Sequence, residues 1–285
     1  MSAPPGHPRF DAIAVVGVGL IGGSIAAAVR QRGLARRVIG VGRNLQRLEA
    51  ARQAGILDEV AGDFGQVQSA DLVVVCTPVD RIAEVVREAA QLGPQTLITD
   101  AGSVKACIID ALAGTLPAGV NFVGAHPMAG SEKTGWEHAR ADLFVDRLCV
   151  LTPGKAAPEE AVAAVEQFWQ SLGMRTQRMS PADHDRAVAA SSHVPHVAAA
   201  ALVSLIDESN AALVSTGFGD VTRIAAGDPG LWLAILQGNR AAVLAELDRL
   251  IAQLTAYRQA LEADEAQTLL QMLEAARERR IGLER

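Results

Sequence analysis

The chain has 285 residues, enough for about two domains that bury roughly three-quarters of the unfolded surface, so neither metal nor disulfide staples are needed for folding. Hydrophobic residues make up 49% and charged residues 20%, with 26 Gly and 12 Pro in no biased tract, which excludes disordered and fibrous classes. A net charge of -6, with six Phe, three Trp and one Tyr, argues against a general nucleic-acid binder.

Met1–Pro8 holds three prolines and no apolar export-signal core, so it reads as a frayed arm on a chain that stays inside the cell. The longest uncharged apolar run of the second half, Val197–Ile206, is about half of the ~20 residues that a membrane span requires. The cysteines Cys76, Cys107 and Cys149 are odd in number and read as reduced core thiols, which predicts a cytoplasmic protein.

From Phe10 to Met179 short apolar runs alternate with helical periods. Candidate strands are Ala12–Val16, Arg37–Val41, Leu72–Thr77, Thr96–Thr99, Asn121–Gly124, Leu148–Thr152 and Met174–Arg178. Helical periods fall at Leu45–Ala54, Ile82–Leu92, Lys105–Gly114 and Glu159–Leu172. The expected fold is α/β: a Rossmann-type doubly wound, mostly parallel sheet over residues 1–179, then an all-helical domain over 180–285. Ser180 followed by Pro181 marks a helix start, and Leu244, Leu247, Leu250, Ile251 and Leu254 repeat at helical spacing.

Ala12–Val16 runs straight into Gly17-Val18-Gly19-Leu20-Ile21-Gly22, and a helical pattern follows to Arg32. In this context the GxGxxG string predicts dinucleotide binding. Gly17 permits the tight turn, Gly19 lets backbone approach a pyrophosphate, and Gly22 lets helix pack on strand, with Leu20 and Ile21 opening the helix that faces the phosphate charge. An NAD-binding version usually carries an acid at the end of the second strand, where this chain has Gly42 followed by Arg43, with Arg47 one helical turn on. A guanidinium in place of the acid favours NADP, with NAD still possible, unless Arg43 is simply a solvated side chain. Thr77, closing the third candidate strand, joins the cofactor candidates.

Four polar strings interrupt apolar surroundings and read as lying where strands end: residues 100–105, 126–132, 192–196 and 220–225. His126, just past the Asn121–Gly124 strand, has the right intrinsic pKa for an acid or base, and a structural histidine fits equally well. His193 and His196 fall on one helical face, but no acid or thiol stands beside them, so no metal site is expected.

The strings HPMAGSEKTG (126–135), SHVPH (192–196) and DVTRIAAGDP (220–229), in that order behind the Gly-rich loop, resemble the prephenate/arogenate dehydrogenase family of tyrosine biosynthesis over nearly the whole chain. The resemblance implies oxidation of a cyclohexadienol at its hydroxyl-bearing carbon, hydride transfer to a nicotinamide, and loss of the ring carboxylate as carbon dioxide. It implies that His126 accepts the hydroxyl hydrogen bond as hydride leaves, that Ser103 orients His126 and approaches both substrate and nicotinamide, and that Arg223 clamps the ring carboxylate. Asp220 would hold Arg223 in register, or simply pair with it. His196 is the stronger substrate contact of the two histidines, with His193 on the same pocket. Glu132 gates the pocket or is a solvated carboxylate, and Trp232 forms its rim or is core. A homodimer is expected, with no fused regulatory or mutase module. Many relatives carry Lys or Arg just before the Asp of the DxTRIA string; Gly219 here weakens the grip on a carboxylate-only side chain and leaves arogenate beside prephenate. Two rivals are a β-hydroxyacid dehydrogenase, which needs a lysine in the helical domain where none follows Lys155, and a non-enzymatic NADP-binding sensor.

Overall fold

The computed structural model describes residues 9–131, 133–207, 209 and 211–283. Strands β1 (Phe10–Val16), β2 (Ala35–Val41), β3 (Glu59–Ala61), β4 (Leu72–Val75), β5 (Leu97–Asp100), β6 (Asn121–Pro127), β7 (Leu148–Pro153) and β8 (Arg175–Arg178) form one sheet in the order β3-β2-β1-β4-β5-β6-β7-β8. The first six are parallel; β7 runs antiparallel to β6, and β8 parallel to β7. The strand order reverses between β1 and β4, and such a point in an open α/β sheet is where ligands bind.

Between the strands lie α1 (Leu20–Gln31), α2 (Leu45–Gln53), α3 (Val79–Ala89), α4 (Ala106–Leu112) and α5 (Glu159–Ser171). Strand β1 is apolar along nearly its whole length because both faces are covered. Ile13 and Val15 pack with Ile25, Val29, Phe168 and Trp169 on one side, while Ala12, Ala14 and Val16 pack with Ile82, Val86 and Ile108 on the other. Each of the larger aliphatic side chains among them contributes roughly 1.5–3 kcal/mol when removed from water. Strand β3 has no counterpart among the expected strands: its three residues, Glu59, Val60 and Ala61, are too few and too mixed to stand out, and pairing with Ile39–Val41 makes the strand. Strand β6 runs three residues further than expected because Ala125, His126 and Pro127 pair with β7. His126 therefore sits on a strand and not after one.

Beyond β8 come α6 (Pro181–Val188), a π-helical turn over Ala189–His193, α7 (Val194–Val203), α8 (Thr216–Thr222), a 3-10 turn over Arg223–Ala226, and α9 (Pro229–Gly238). Helix α6 starts as Ser180 promises, the Ser180 hydroxyl accepting from Asp183 N at 3.1 Å. The strands stop at 178, but the chain divides by packing at 239: residues 1–239 form one compact unit and 240–285 another. Loss of strand pattern marks a change of element type, whereas the division follows contacts, and α6–α9 keep theirs with the sheet-bearing unit. The second unit contains α10 (Arg240–Glu262) and α11 (Ala266–Gly282), with Leu244, Ile251, Leu254, Leu261, Leu270 and Leu273 exposed on it. No helix among the described residues is long and apolar enough to cross a membrane. The three cysteines are unpaired, and burial pushes the Cys76, Cys107 and Cys149 thiols up, away from reactive thiolate.

Candidate active site

The Gly-rich loop joins β1 to α1. Gly17 adopts φ 84°, and a Cβ there would lie 2.8 Å from the Cys76 carbonyl oxygen, so only glycine fits. A Cβ on Gly22 would run into Gly17 O, which fixes how closely the helix meets the loop. Gly19, by contrast, has nothing within 4 Å of where its Cβ would stand: the backbone faces open space. No side chain caps the first turn of α1 at Gly19, and Thr77 Oγ1, beside the loop at the end of β4, is buried with no hydrogen-bond partner among the described residues. Uncapped helix amides, an open glycine and an unpartnered hydroxyl are what a dinucleotide pyrophosphate requires. Leu20 faces the adjoining cavity, and Ile21 packs against the core. At the end of β2, Gly42 N donates to Ala61 O at 3.0 Å and Arg43 is exposed, while Arg47 turns to Glu137 at 3.5 Å.

That cavity encloses about 1120 Å³ and is lined by Ser103, His126, His193, Arg223 and Trp232 among others. His126 comes from β6, Ser103 from the loop after β5, His193 from the end of the π-helical turn, Arg223 from the 3-10 turn and Trp232 from α9. Irregular helical turns of this kind recur at functional sites. Arg223 has a partner of its own. Asp220, exposed on α8, is not part of the lining, and Glu132 lies outside the described residues.

The resemblance gave Ser103 the task of orienting His126. Ser103 shares the cavity, but the His126 ring is held by His184, Nδ1 to Nε2 at 2.8 Å. His184 Nδ1 in turn lies 2.7 Å from Asp185 Oδ1. Asp185 is itself fixed, accepting from the backbone amides of Lys105 at 2.8 Å and Ala106 at 2.9 Å, while Asn239 Nδ2 donates to its carbonyl at 2.7 Å and approaches His193 Nδ1 at 3.1 Å. His196 also departs from expectation. It is buried, stacked on Trp232 with ring centroids 3.5 Å apart, and outside the cavity lining, so His193 and not His196 faces the cavity. Sequence reasoning missed His184, Asp185 and Asn239. The only signal was an Asp-His-Asp string in α6, which reads as a solvated helix face.

Beneath His126, buried Lys105 bonds Asp100 and donates to Ala125 O at 2.9 Å, while Asp100 Oδ1 accepts from Ala125 N at 3.0 Å and Oδ2 from Gly102 N at 2.9 Å. This clamp ties β5 to β6 one residue before His126. Burial, then the neighbouring His184, Lys105 and His193, hold His126 well below the usual histidine range, so its ring is neutral at neutral pH. Burial likewise pushes His193 down to about 4. A histidine depressed in the folded state resists a proton that the unfolded chain accepts. Its contribution to stability is therefore complete above about pH 6.5 and lost as pH falls toward the folded value. Urea unfolding of wild type should lose stability from pH 6.5 to 5, and His193→Asn should make that loss smaller, His126 supplying the rest. Parallel curves for the two proteins would remove His193 as its source. Among the described residues no three His, Cys, Asp or Glu side chains cluster as a metal site.

A doubly wound sheet with an open Gly-rich loop, next to a cavity holding a neutral histidine and an arginine, defines a dinucleotide-dependent oxidoreductase. The family model described as prephenate dehydrogenase, nucleotide-binding domain, matches residues 25–178, and the one described as prephenate dehydrogenase, dimerization domain, matches residues 180–275. The chain belongs to the prephenate dehydrogenase family. It is 34% identical to prephenate dehydrogenase of Bacillus subtilis over 96% of this chain and 76% of that protein, and 34% identical to cyclohexadienyl dehydrogenase of Zymomonas mobilis over 96% of each. Its structure is similar to prephenate dehydrogenase of Aquifex aeolicus in complex with hydroxyphenyl propionate and NAD+, with TM-score 0.90 and 29% identity over 96% of this chain and 98% of that one. Against Synechocystis arogenate dehydrogenase the TM-score is 0.82, with 31% identity over 95% and 99%.

Proposed function

We propose that this enzyme oxidises and decarboxylates prephenate in tyrosine biosynthesis, with arogenate as the alternative substrate and NADP preferred over NAD. The observation that carries this reading is the single cavity that joins His126, Ser103, His193 and Arg223 and reaches Leu20 of the Gly-rich loop. When bound, the nicotinamide dinucleotide supplies the hydride acceptor, and it would be held by the open backbone at Gly19, the uncapped start of α1, Thr77 and Arg43. His126 takes the substrate hydroxyl proton as the carbon–hydrogen pair departs. The bond to the ring carboxylate then breaks, its pair completes the aromatic ring, and the proton returns to the oxygen to give the phenol. Ser103 contacts substrate beside His126, Arg223 pairs with the departing carboxylate, and Asp220 supports Arg223. His193 and Trp232 shape the pocket with His196 behind them. Arogenate stays beside prephenate because Gly219, with nothing within 4 Å of where its Cβ would stand, supplies no cation for a side-chain carboxylate.

We assign residues 180–285 to substrate binding and dimerisation, and the exposed leucines of α10 and α11 support a homodimer. A cytoplasmic location agrees with three unpaired thiols. The decisive assay offers prephenate and arogenate, each with NAD and with NADP, and follows the absorbance of the reduced nicotinamide. No turnover with either substrate would overturn the reading.

Three further results are expected. Arg223→Ala should raise KM for the accepted substrate, costing about 2–4 kcal/mol in kcat/KM, because a carboxylate clamp is already engaged before chemistry. An unchanged KM would return Arg223 to a structural role. A Cβ on Gly42 meets only Leu48 Cδ1 at 3.7 Å, so Gly42→Asp fits. It should move preference toward NAD by roughly 1–3 kcal/mol, supplying a ribose acceptor and repelling the 2′-phosphate. Arg43→Ala should weaken NADP more than NAD, and less so at high salt. A wild type that prefers NAD, with neither cofactor weakened by Arg43→Ala, would make Arg43 a solvated surface residue.

A further inference from the structure

His126 is one end of a buried chain of hydrogen bonds whose other end can only accept. The Asp185 carboxylate has no proton to give. It already receives the Lys105 and Ala106 amides, and His184 Nδ1 approaches the same Oδ1 at 2.7 Å. His184 Nδ1 must therefore carry a proton. A neutral imidazole carries one, which leaves a lone pair on His184 Nε2. The 2.8 Å contact from that atom to His126 Nδ1 then closes only if His126 donates. His126 is left with a bare Nε2, the ring nitrogen that the chain does not use.

We propose that His184 and Asp185 are positioning residues that lock His126 in the tautomer with its lone pair on Nε2, so that a substrate hydroxyl in the cavity meets a proton acceptor. This inference rests on the reading that His126 receives the hydroxyl proton. In that step the substrate O–H bond breaks, an N–H bond forms at His126 Nε2, and the Nδ1 proton stays where it is, shared with His184. The positive charge that arrives on His126 finds a fixed carboxylate behind His184, already aligned, so nothing has to reorganise. The other charged or titratable groups nearby are engaged elsewhere: Lys105 Nζ with Asp100 and Ala125 O, and His193 Nδ1 with Asn239. The His184 side chain is only 1% exposed, so bulk water is not available to offer His126 Nδ1 a substitute acceptor.

Nitrogen-15 spectra of histidine-labelled enzyme read the tautomer directly. The chain has six histidines, and subtracting the spectrum of His126→Asn assigns the His126 ring. In wild type at neutral pH, Nδ1 should be protonated and Nε2 bare. His184→Phe keeps a ring but offers no acceptor. It should populate the His126 tautomer protonated at Nε2 and lower kcat by about 100-fold, with KM for substrate and Kd for NADP changed by less than about threefold. His184→Gln places an amide oxygen near the lost Nε2 and should restore both the tautomer and most of kcat. A wild-type His126 protonated at Nε2 overturns the proposal, as does a folded His184→Phe that keeps wild-type kcat. If His126→Asn abolishes turnover while the His184 variants behave as wild type, the positioning role fails and the proposed function stands. If His126→Asn turns over normally, the proposed function itself fails.

Discussion

Replacing His126 with Asn is expected to lower kcat by about 100-fold or more while leaving KM for the accepted substrate nearly unchanged. The asymmetry follows from when the ring is needed. In the bound ground state the hydroxyl is content with any polar neighbour, and an asparagine amide offers one. In the transition state the oxygen sheds its proton, and an amide has no lone pair basic enough to take it. The loss therefore falls on kcat. Asparagine can also keep a hydrogen bond to His184, so the variant should fold and bind NADP. Steady-state kinetics with prephenate and arogenate, together with NADP titration, check this. A near-normal kcat would remove His126 from the chemistry.

Asp100→Ala is expected to cost about 3–5 kcal/mol of stability, because it leaves the Lys105 ammonium buried without its counter-charge. The side chains of Asp100 and Lys105 are 0% and 1% exposed, so solvent cannot take over. The change also strips an acceptor from the amides of Gly102 and Ala125. Chemical denaturation of wild type, Asp100→Ala, and the double variant Asp100→Leu/Lys105→Met separates the causes. The double variant should recover much of the loss, since two apolar side chains carry no unpaired charge. A single-variant cost below about 1 kcal/mol would mean that the pair contributes little.

The sheet was legible because its physics is local. Ile13, Val15 and their neighbours are apolar on both faces, and the glycines at 17, 19 and 22 follow the strand at once, Gly22 answering a demand made by Gly17 itself. The nicotinamide-dinucleotide site was legible in the same way, from the glycine spacing directly after a strand. The histidine chain was not. His126 and His184 lie 58 residues apart, and their contact depends on α6 docking against the start of α4 through Asp185. No spacing rule links a strand residue to a polar triplet on a distant helix. The relative placement of His193 and His196 was hidden for a related reason: both belong to one turn, and the stacking of Trp232 on His196 sets which ring lines the cavity. Strand β3 escaped because three mixed residues carry no pattern until β2 pairs with them.

The Asn239 amide gives the cavity a direction. Its nitrogen donates to the Asp185 carbonyl, so the same NH₂ group is what His193 Nδ1 meets, and the His193 ring must carry its own proton on Nε2. With His126 in the proposed tautomer, the two histidines line one chamber with opposite hydrogen-bonding character, His126 offering a lone pair and His193 an N–H. A molecule with a hydroxyl at one end and carboxylates at the other fits such a chamber in one sense only. Turned end for end, it would set anion against lone pair. The chamber therefore sorts orientations before it sorts molecules.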